Sequence, residues 1–167
     1  MELPVPNTTY TVLFLCQENA GRSLMAEAML KKLGHGRFEV YSAGIQPLDE
    51  ANPVAMQILK DNGFDTEGLY PKHYSVFLED DAPHLDFVFT LCADSAEEAE
   101  LNIWDDLARD TITAHWHFTD PSLEDTSIET EHDEYTRVEM QLAQRIKTFM
   151  MLPDNKLDQI ANPDDTL

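Results

Sequence analysis

The chain has 167 residues, about the size of one ordinary domain, and its hydrophobic content of 43% is near the globular average. Its 32 acidic residues against 11 basic ones give a formal net charge of -21. Because phosphate backbones and anionic lipids are bound by clustered Lys and Arg, this balance argues against a nucleic acid or a membrane surface as the partner. We interpret the charge as a solvated acidic surface that keeps the protein in solution.

The start of the chain, MELPVPNTTY, has no basic segment followed by a long apolar run, so we predict no signal peptide. No apolar run reaches the length needed to span a bilayer. Two cysteines in such a chain are expected to be reduced thiols, and they are too few for a four-cysteine zinc site. We therefore expect a cytoplasmic protein.

Strand and helix patterns alternate along the first half of the chain. A short run rich in β-branched and aromatic residues predicts a buried strand over 9–16. Apolar residues four positions apart predict a helix over 23–33, closed by Gly34. Alternation predicts a second strand over 37–44. An initial Asn-Pro and a closing Gly predict a capped helix over 52–63.

The second half continues the alternation. Apolar runs predict strands over 85–92 and 110–118, and an amphipathic pattern predicts a last helix over 130–151. Strands that alternate with helices indicate an α/β fold, here a three-layer, doubly wound structure with a four-stranded parallel sheet covered on both faces. We predict a single domain over 1–167 in which about residues 153–167 form a C-terminal tail.

Three chemically active residues follow predicted strands. Cys16 and Cys92 end the first and third strands, and Asp120 follows the fourth, just before a proline. In open parallel sheets, ligands bind outside the carboxyl ends of the strands. The pattern therefore brings these three residues to one edge of the sheet.

The sequence CQENAGRS, residues 16–23, connects the first strand to the first helix. The N–H groups of such a loop point inwards, and together with the helix dipole they bind an oxyanion. Arg22 adds a planar fork that suits two oxygens of a tetrahedral anion. The same field stabilises a thiolate, so we expect Cys16 to be nucleophilic at neutral pH. Ser23 either donates a hydrogen bond to that thiolate or caps the helix.

The alternative is a buried cysteine at a strand end followed by a chance arginine. A bare Cys-x5-Arg spacing is weak evidence by itself. Asn19 and Gly21 favour the nucleophile, because both residue types tolerate the left-handed backbone that a tight cradle needs. The strand before the loop and the helix after it favour it further.

The other candidate residues have structural alternatives. Asp120 in HWHFTDPS belongs to a turn or acts as the general acid, and beside a cysteine loop we favour the acid. Cys92 by its own pattern is a buried strand-end thiol rather than a thiol that resolves an adduct. His115 and His117 share a face without an evident third ligand, so we predict structural or site-lining residues and no metal site. Trp104 and Trp116 are expected in the core or at the lip of the site.

The loop is similar to the Cys-x-x-Asn-x-x-Arg-Ser loop of the low-molecular-weight tyrosine phosphatase fold, which includes tyrosine phosphatases and thiol-coupled arsenate reductases. The segments RSLMAEAML, YSAG, LDFVFTLC, HWHFTDPS and RIKTFMMLPDNKLDQ resemble the reductases. The resemblance covers nearly the whole chain. It implies the flavodoxin-like strand order 2-1-3-4.

The resemblance also implies roles. Cys16 attacks arsenate, Asp120 is the acid for the departing oxygen, and Cys92 attacks Cys16 to release arsenite, which reverses the structural interpretation of Cys92. The oxyanion is held by the loop N–H groups and the Arg22 side chain. The implied oxyanion-binding residues are Gln17, Glu18, Asn19, Ala20, Gly21, Arg22 and Ser23.

The sequence departs from the family pattern at three points. The third cysteine of the thioredoxin-coupled reductases is absent from ADSAEEAELNIW, so a Cys16–Cys92 disulfide is reduced directly, or a small thiol such as glutathione resolves the adduct. Glu18 replaces a glycine or histidine. If its carboxylate turned inwards to about 4 Å from the oxyanion, the repulsion between the two negative charges would cost roughly 4 kcal/mol. A carboxylate that points outwards would be nearly harmless. His117 replaces a glycine and narrows the site.

Three hypotheses remain open. The leading one is a thiol-dependent arsenate reductase with no bound cofactor, reduced by glutathione with glutaredoxin or by thioredoxin. The second is a phosphatase that hydrolyses phosphotyrosine or another phosphomonoester, although Ser122 and Leu123 replace the tyrosines usual in that group. The third is a catalytically impaired protein that binds oxyanions such as arsenate or phosphate. We expect a monomer in each case.

Overall fold

Four parallel strands form the centre of the computed structural model, which describes residues 9–91, 112–116 and 128–152. Numbered along the chain, the strands are ordered 2-1-3-4 across the sheet. Three α-helices and one 3-10 helix complete the described elements. Their bounds are β1 Tyr10–Cys16, α1 Arg22–Leu33, β2 Phe38–Gly44, α2 Pro53–Asp61, the 3-10 helix Tyr74–Phe77, β3 Phe87–Thr90, β4 Ile112–His115 and α3 Ile128–Met150.

The predicted α/β class, the parallel sheet and the strand order are confirmed. The sequence pattern predicted every strand and α-helix that the structure describes. Most predicted boundaries differ from the observed ones by one to three residues. The 3-10 helix Tyr74–Phe77 was not predicted, because four residues are too few to show a period. The proposed tail from 153 lies outside the described residues, and the single domain stays a prediction.

Strand β1 is buried on both of its faces, as its continuous apolar run predicts. Val12, Phe14 and Cys16 point into the larger core cluster, which they share with α1, α2 and α3. Leu13 and Leu15 point to the other face, into a smaller cluster against which the 3-10 helix packs. Because side chains alternate along a strand, this register places the Cys16 side chain on the face that α1 covers.

Helix α3 is attached to the sheet by aromatic rings. Phe149 meets Phe89 edge to face, with ring centroids 5.2 Å apart. Trp116 also stacks on Phe89, with ring centroids 4.5 Å apart and an interplanar angle of 19°. Trp116 is therefore a core residue, as predicted, whereas Trp104 lies outside the described residues.

Helix α2 begins with the predicted cap. The Asn52 side chain accepts hydrogen bonds from the N–H groups of Val54 and Ala55, and Pro53 occupies the first turn. Among the helices of the described ranges, none is long and apolar enough to cross a membrane.

Candidate active site

The loop between β1 and α1 is anchored from outside by its main chain. The carbonyl oxygens of Cys16, Gln17, Glu18 and Ala20 accept hydrogen bonds from backbone N–H groups within residues 45–52, at 2.8 to 3.3 Å. In a trans peptide the N–H group points opposite to the carbonyl that precedes it, and every described peptide bond is trans. The anchored carbonyls therefore turn the N–H groups of Gln17, Glu18, Asn19 and Gly21 to the other side of the loop.

The sulfur of Cys16 lies on that inner side. The backbone N–H of Asn19 donates to Cys16 Sγ at 3.2 Å, as the direction of the anchored carbonyls requires. Cys16 is a free cysteine and is 2% exposed. The loop thus directs main-chain donors towards the sulfur, which is the arrangement expected of an anion cradle.

Asn19 is the centre of the buried polar contacts. It is fully buried and has the left-handed φ of 48° predicted for the loop. Its Nδ2 donates to Ser23 Oγ at 2.7 Å and to Ser42 Oγ at 3.0 Å, and its Oδ1 accepts from the backbone N–H of Lys72 at 2.9 Å. Both amide hydrogens and the carbonyl oxygen are used, so the orientation of the amide is fixed by its partners.

The Asn19 amide donates to two hydroxyl groups. Ser42 accepts from Asn19 and donates its own hydrogen to Glu27 Oε1 at 2.7 Å. Ser23 also accepts from Asn19, and its oxygen is 2.9 Å from Cys16 Sγ. A thiolate can only accept, so Ser23 donates to Cys16 whenever the cysteine is ionised. Ser23 makes no cap for α1, whose N-cap is Gly21. Of the two alternatives for Ser23, the contact with the sulfur is the one observed.

Gly21 is required for a different reason from the one predicted. Its φ is -132°, outside the left-handed region. A Cβ atom at this position would lie 2.6 Å from the Tyr135 hydroxyl oxygen and 2.8 Å from a ring carbon of that side chain. Glycine therefore lets helix α3 approach the loop closely, and the expectation of a left-handed backbone at Gly21 was wrong.

Arg22 connects the loop to the carboxyl end of β3. Its side chain is 2% exposed, and Nη1 donates to the carbonyl oxygen of Leu91 at 2.7 Å. Leu91 directly precedes Cys92 in the sequence. Cys92 and Asp120 themselves lie outside the described residues, as do His117 and the side chain of His115. The structure thus brings Arg22 to the predicted edge and leaves the roles of these four residues as predictions.

Glu18 lies on the outer flank of the loop. It is half-buried and lines a cavity of about 470 Å³ together with Tyr135 and residues 48–53. Cys16 and Asn19 do not line this cavity. Asp49 and Glu50 do, so the flank is acidic. Glu18 thus borders a cavity that Cys16 and Asn19 do not line.

A buried ion pair lies behind the loop and was not predicted. Glu27 is 3% exposed, and its Oε1 is 3.8 Å from Lys72 Nζ. Burial lowers the pKa of Lys72, the Glu27 carboxylate opposes this, and Lys31 lowers the pKa further. The sequence does contain a signal for part of this group, because Ser23, Glu27 and Lys31 recur every four residues along α1.

Among the residues that the structure describes, no three His, Cys, Asp or Glu side chains are close enough to hold a metal ion. The reactive groups that the structure describes at this edge of the sheet are the buried Cys16 thiol, its hydrogen-bond partners and the Arg22 guanidinium.

The family model for the low molecular weight phosphotyrosine protein phosphatase matches residues 11–161. An arsenate reductase of Bacillus licheniformis is 33% identical over 140 residues, which cover 83% of this chain and 94% of that protein. A solved structure described as an arsenate reductase in the phosphate binding state has a TM-score of 0.67 and 26% identity, and covers 85% of this chain and 97% of its own. The arsenate reductase of Archaeoglobus fulgidus has the same fold, with a TM-score of 0.65, 24% identity and coverage of 83% and 98%.

Proposed function

The chain belongs to the low molecular weight phosphotyrosine protein phosphatase family, and we propose that it reduces arsenate to arsenite with thiols as the electron donors. The observation that carries the proposal is the pair of hydrogen-bond partners of the Cys16 sulfur, the Ser23 hydroxyl at 2.9 Å and the backbone N–H of Asn19 at 3.2 Å. The likeness to arsenate reductases over most of the chain supports this substrate over other oxyanions.

The first step is an attack of the Cys16 thiolate on arsenic. A sulfur–arsenic bond forms and one arsenic–oxygen bond breaks, so that the departing oxygen leaves as water after it takes up protons. We assign Asp120 as the acid that supplies a proton. The N–H groups of residues 17–22 and the Arg22 guanidinium hold the remaining oxygens, and the inward direction of the loop amides supports this assignment.

The second step is the reduction. The thiolate of Cys92 attacks the sulfur of Cys16, and the sulfur–arsenic bonding pair stays with arsenic. Arsenic(V) becomes arsenic(III), arsenite leaves, and the two cysteines are oxidised to a disulfide. An external dithiol or two glutathione molecules then reduce the disulfide. Cys92 is bonded to Leu91, whose carbonyl accepts from Arg22, and this adjacency supports the role of Cys92.

Glu18 borders the acidic cavity beside residues 48–53, and this location supports a working cradle over an impaired one. A carboxylate among the inner N–H groups would compete with the oxyanion, whereas a carboxylate on the acidic flank does not. We assign oxyanion binding to the main chain of the loop residues Gln17, Glu18, Asn19, Ala20 and Gly21. Ser23 contributes to the site through its contact with the Cys16 sulfur.

The test is an arsenite assay on the reduced protein with arsenate. Two donor systems are used, glutathione with glutaredoxin and thioredoxin with its reductase. We expect arsenite with at least one system and none from the Cys16→Ser variant. A folded wild-type protein that forms no arsenite with either system would refute the proposal.

Phosphomonoester hydrolysis is the second candidate, because it needs Cys16, Arg22 and Asp120 but not Cys92. Cys16 and Arg22 on a loop of inward N–H groups suit a phosphoryl group as well as arsenate, and Cys92 has no part in hydrolysis. The Cys92→Ser variant separates the two activities, since a two-cysteine reductase loses turnover and a phosphatase keeps it. Parallel assays with arsenate and an aryl phosphate on both proteins identify the main reaction.

A further inference from the structure

Asn52 connects the loop, α2 and α3, which meet beside the cradle. Its backbone N–H donates to the carbonyl oxygen of Ala20 at 2.8 Å. Its side-chain oxygen caps α2 by accepting from the N–H groups of Val54 and Ala55. Its side-chain nitrogen donates to Glu131 Oε1, in the first turn of α3, at 2.9 Å. The cap uses only the oxygen of this amide, so the nitrogen is the part of the side chain that binds α3.

Helix α3 contacts the same stretch of the loop a second time. Tyr135 lies four residues after Glu131, so the two side chains lie on one face of α3. Tyr135 is 2% exposed and packs closely on Gly21, where an added Cβ atom would lie 2.6 Å from the tyrosine hydroxyl oxygen. The peptide group between residues 20 and 21 is thus held at its carbonyl by Asn52 and at Gly21 by Tyr135.

These contacts form a closed ring around that peptide group. Asn52 joins the loop to the start of α2, its amide joins α2 to Glu131, and Tyr135 joins α3 back to the loop. The Gly21 N–H points opposite to the Ala20 carbonyl and therefore into the cradle. A donor stabilises an oxyanion only while its direction is fixed in advance. The ring supplies that direction, and the Asn52–Glu131 hydrogen bond closes it.

We propose that Asn52 is a positioning residue for the bound oxyanion, whose hydrogen bond to Glu131 keeps the Gly21 N–H directed into the cradle. This role rests on the proposed function, because it takes the loop as the place where arsenate binds. Glu131 contributes the oxygen that accepts from Asn52, and its charge has no part in the role. Both residues act on the oxyanion through the main chain of the loop.

The experiment measures how well inorganic phosphate protects Cys16 from alkylation by iodoacetamide. Mass spectrometry follows the peptide that contains Cys16, so Cys92 does not interfere. The dependence of the alkylation rate on phosphate concentration gives the dissociation constant of the cradle for phosphate. The alkylation rate without phosphate reports on the thiol alone and is the internal reference for each variant.

Replacements of Asn52 separate its two side-chain functions. Asn52→Ser keeps an oxygen that caps α2 and adds no charge, but its side chain is too short to reach Glu131. We expect its phosphate dissociation constant to rise about tenfold, the effect of weakening one hydrogen bond to a charged group, while the reference rate stays unchanged. Asn52→Asp also keeps the cap, sets two carboxylates against each other and should lose at least as much affinity.

A reciprocal exchange tests the hydrogen bond itself. In the double variant Asn52→Asp, Glu131→Gln, the amide and the carboxylate change places, so that a hydrogen bond forms again at unchanged net charge. We expect its phosphate dissociation constant to return to within about twofold of wild type. Glu131→Gln alone keeps a carbonyl oxygen that accepts from Asn52 and should bind phosphate as the wild-type protein does.

Asn62→Asp is the matched control. The Asn62 side chain donates to the carbonyl oxygen of Ile58 at the other end of α2. The variant therefore loses an amide donor and gains the same charge as Asn52→Asp, away from the loop. We expect its phosphate affinity to be unchanged. A loss equal to that of Asn52→Asp would assign the effect to α2 as a whole and contradict the role of the Glu131 contact.

Three further results would overturn the positioning role. The first is a folded Asn52→Ser protein with wild-type phosphate affinity. The second is a double variant that binds phosphate no better than Asn52→Asp. The third is a Glu131→Gln protein that binds phosphate much more tightly than wild type, which would assign the effect to charge. Thermal unfolding and circular dichroism establish that each variant is folded. If Asn52→Ser does not fold, the other variants decide by the same criteria.

The protection assay contains no arsenate, so it separates this role from the proposed function. Weaker protection in Asn52→Ser, beside a wild-type protein that forms no arsenite, supports the positioning role and refutes the reductase. Unchanged protection in Asn52→Ser, beside a wild-type protein that forms arsenite, does the reverse. A wild-type Cys16 that phosphate fails to protect would refute the positioning role whatever the arsenite assay shows.

Discussion

Asn19 donates a 2.7 Å hydrogen bond to Ser23, which leaves the hydrogen of the serine hydroxyl available to its other neighbour. That neighbour is the Cys16 sulfur 2.9 Å away, and the hydroxyl donates to it when the cysteine is ionised. A charge-assisted hydrogen bond of this kind is worth about 1.5 to 3 kcal/mol. The carboxamide of Asn19 thus controls the nucleophile through a neighbour as well as through its own main chain.

Replacement of Asn19 by aspartate tests this control with almost no change in shape. The Asn19→Asp side chain loses both donors to the serines and gains a buried charge, so we expect a loss of turnover of at least about tenfold and of about 1 to 3 kcal/mol in the free energy of unfolding. Steady-state arsenite formation and urea unfolding measure the two effects. Asn62→Asp is the control, because Asn62 is exposed and caps α2 away from the loop. Comparable losses in both variants would contradict the assignment.

Removal of the Ser23 hydroxyl tests the donor itself. In Ser23→Ala the sulfur keeps the Asn19 N–H and loses the hydroxyl, so we expect turnover to fall by about one to two orders of magnitude. The measurement is the rate of Cys16 alkylation at several pH values, with the arsenite assay beside it. Ser75→Ala, at an exposed position of the 3-10 helix, should behave as wild type in both assays. A Ser23→Ala rate equal to that of the wild-type protein would show that the hydroxyl does not act on the thiolate.

A double-mutant cycle tests the contact between Gly21 and Tyr135. Gly21→Ala places a methyl group against the tyrosine hydroxyl, and we expect it to destabilise the fold by about 1 to 3 kcal/mol. Tyr135→Phe removes the closest atom, so Gly21→Ala should cost less in the phenylalanine background. Urea unfolding of the four proteins gives the coupling free energy. Additive effects would mean that the methyl group is accommodated elsewhere.

Neutralising Glu18 tests the position of its side chain. Because the residue lines the outer cavity, we expect Glu18→Gln to change the KM for arsenate by less than about threefold, as is usual for a screened charge. A carboxylate inside the cradle would predict instead a gain of orders of magnitude from the same variant. Initial-rate kinetics at low and high salt distinguish the two cases. A large, salt-independent fall in KM would place the carboxylate against the oxyanion.

Local patterns were sufficient to predict the frame of the molecule and part of the site. The β1–loop–α1 unit follows from a buried strand, a cysteine and a helical period within 25 residues, and the cap at Asn52 follows from its Asn-Pro pair. Ser42 and Lys72 could not be found in this way, because they meet Asn19 across 23 and 53 positions of the chain. Gly21 was identified for the wrong reason, since its constraint comes from a helix more than a hundred residues later.

Because the loop is anchored through its own carbonyls, its backbone conformation does not depend on which side chains it carries. Residues 17, 18 and 20 are held in place by main-chain atoms, which every amino acid except proline supplies in full. Mutation at these positions changes the charge and size presented around the site while the cradle keeps its geometry. The loop can therefore carry a glutamate in its middle without losing its geometry. Positions 17, 18 and 20 are the first choice for mutations that change the substrate specificity of the enzyme.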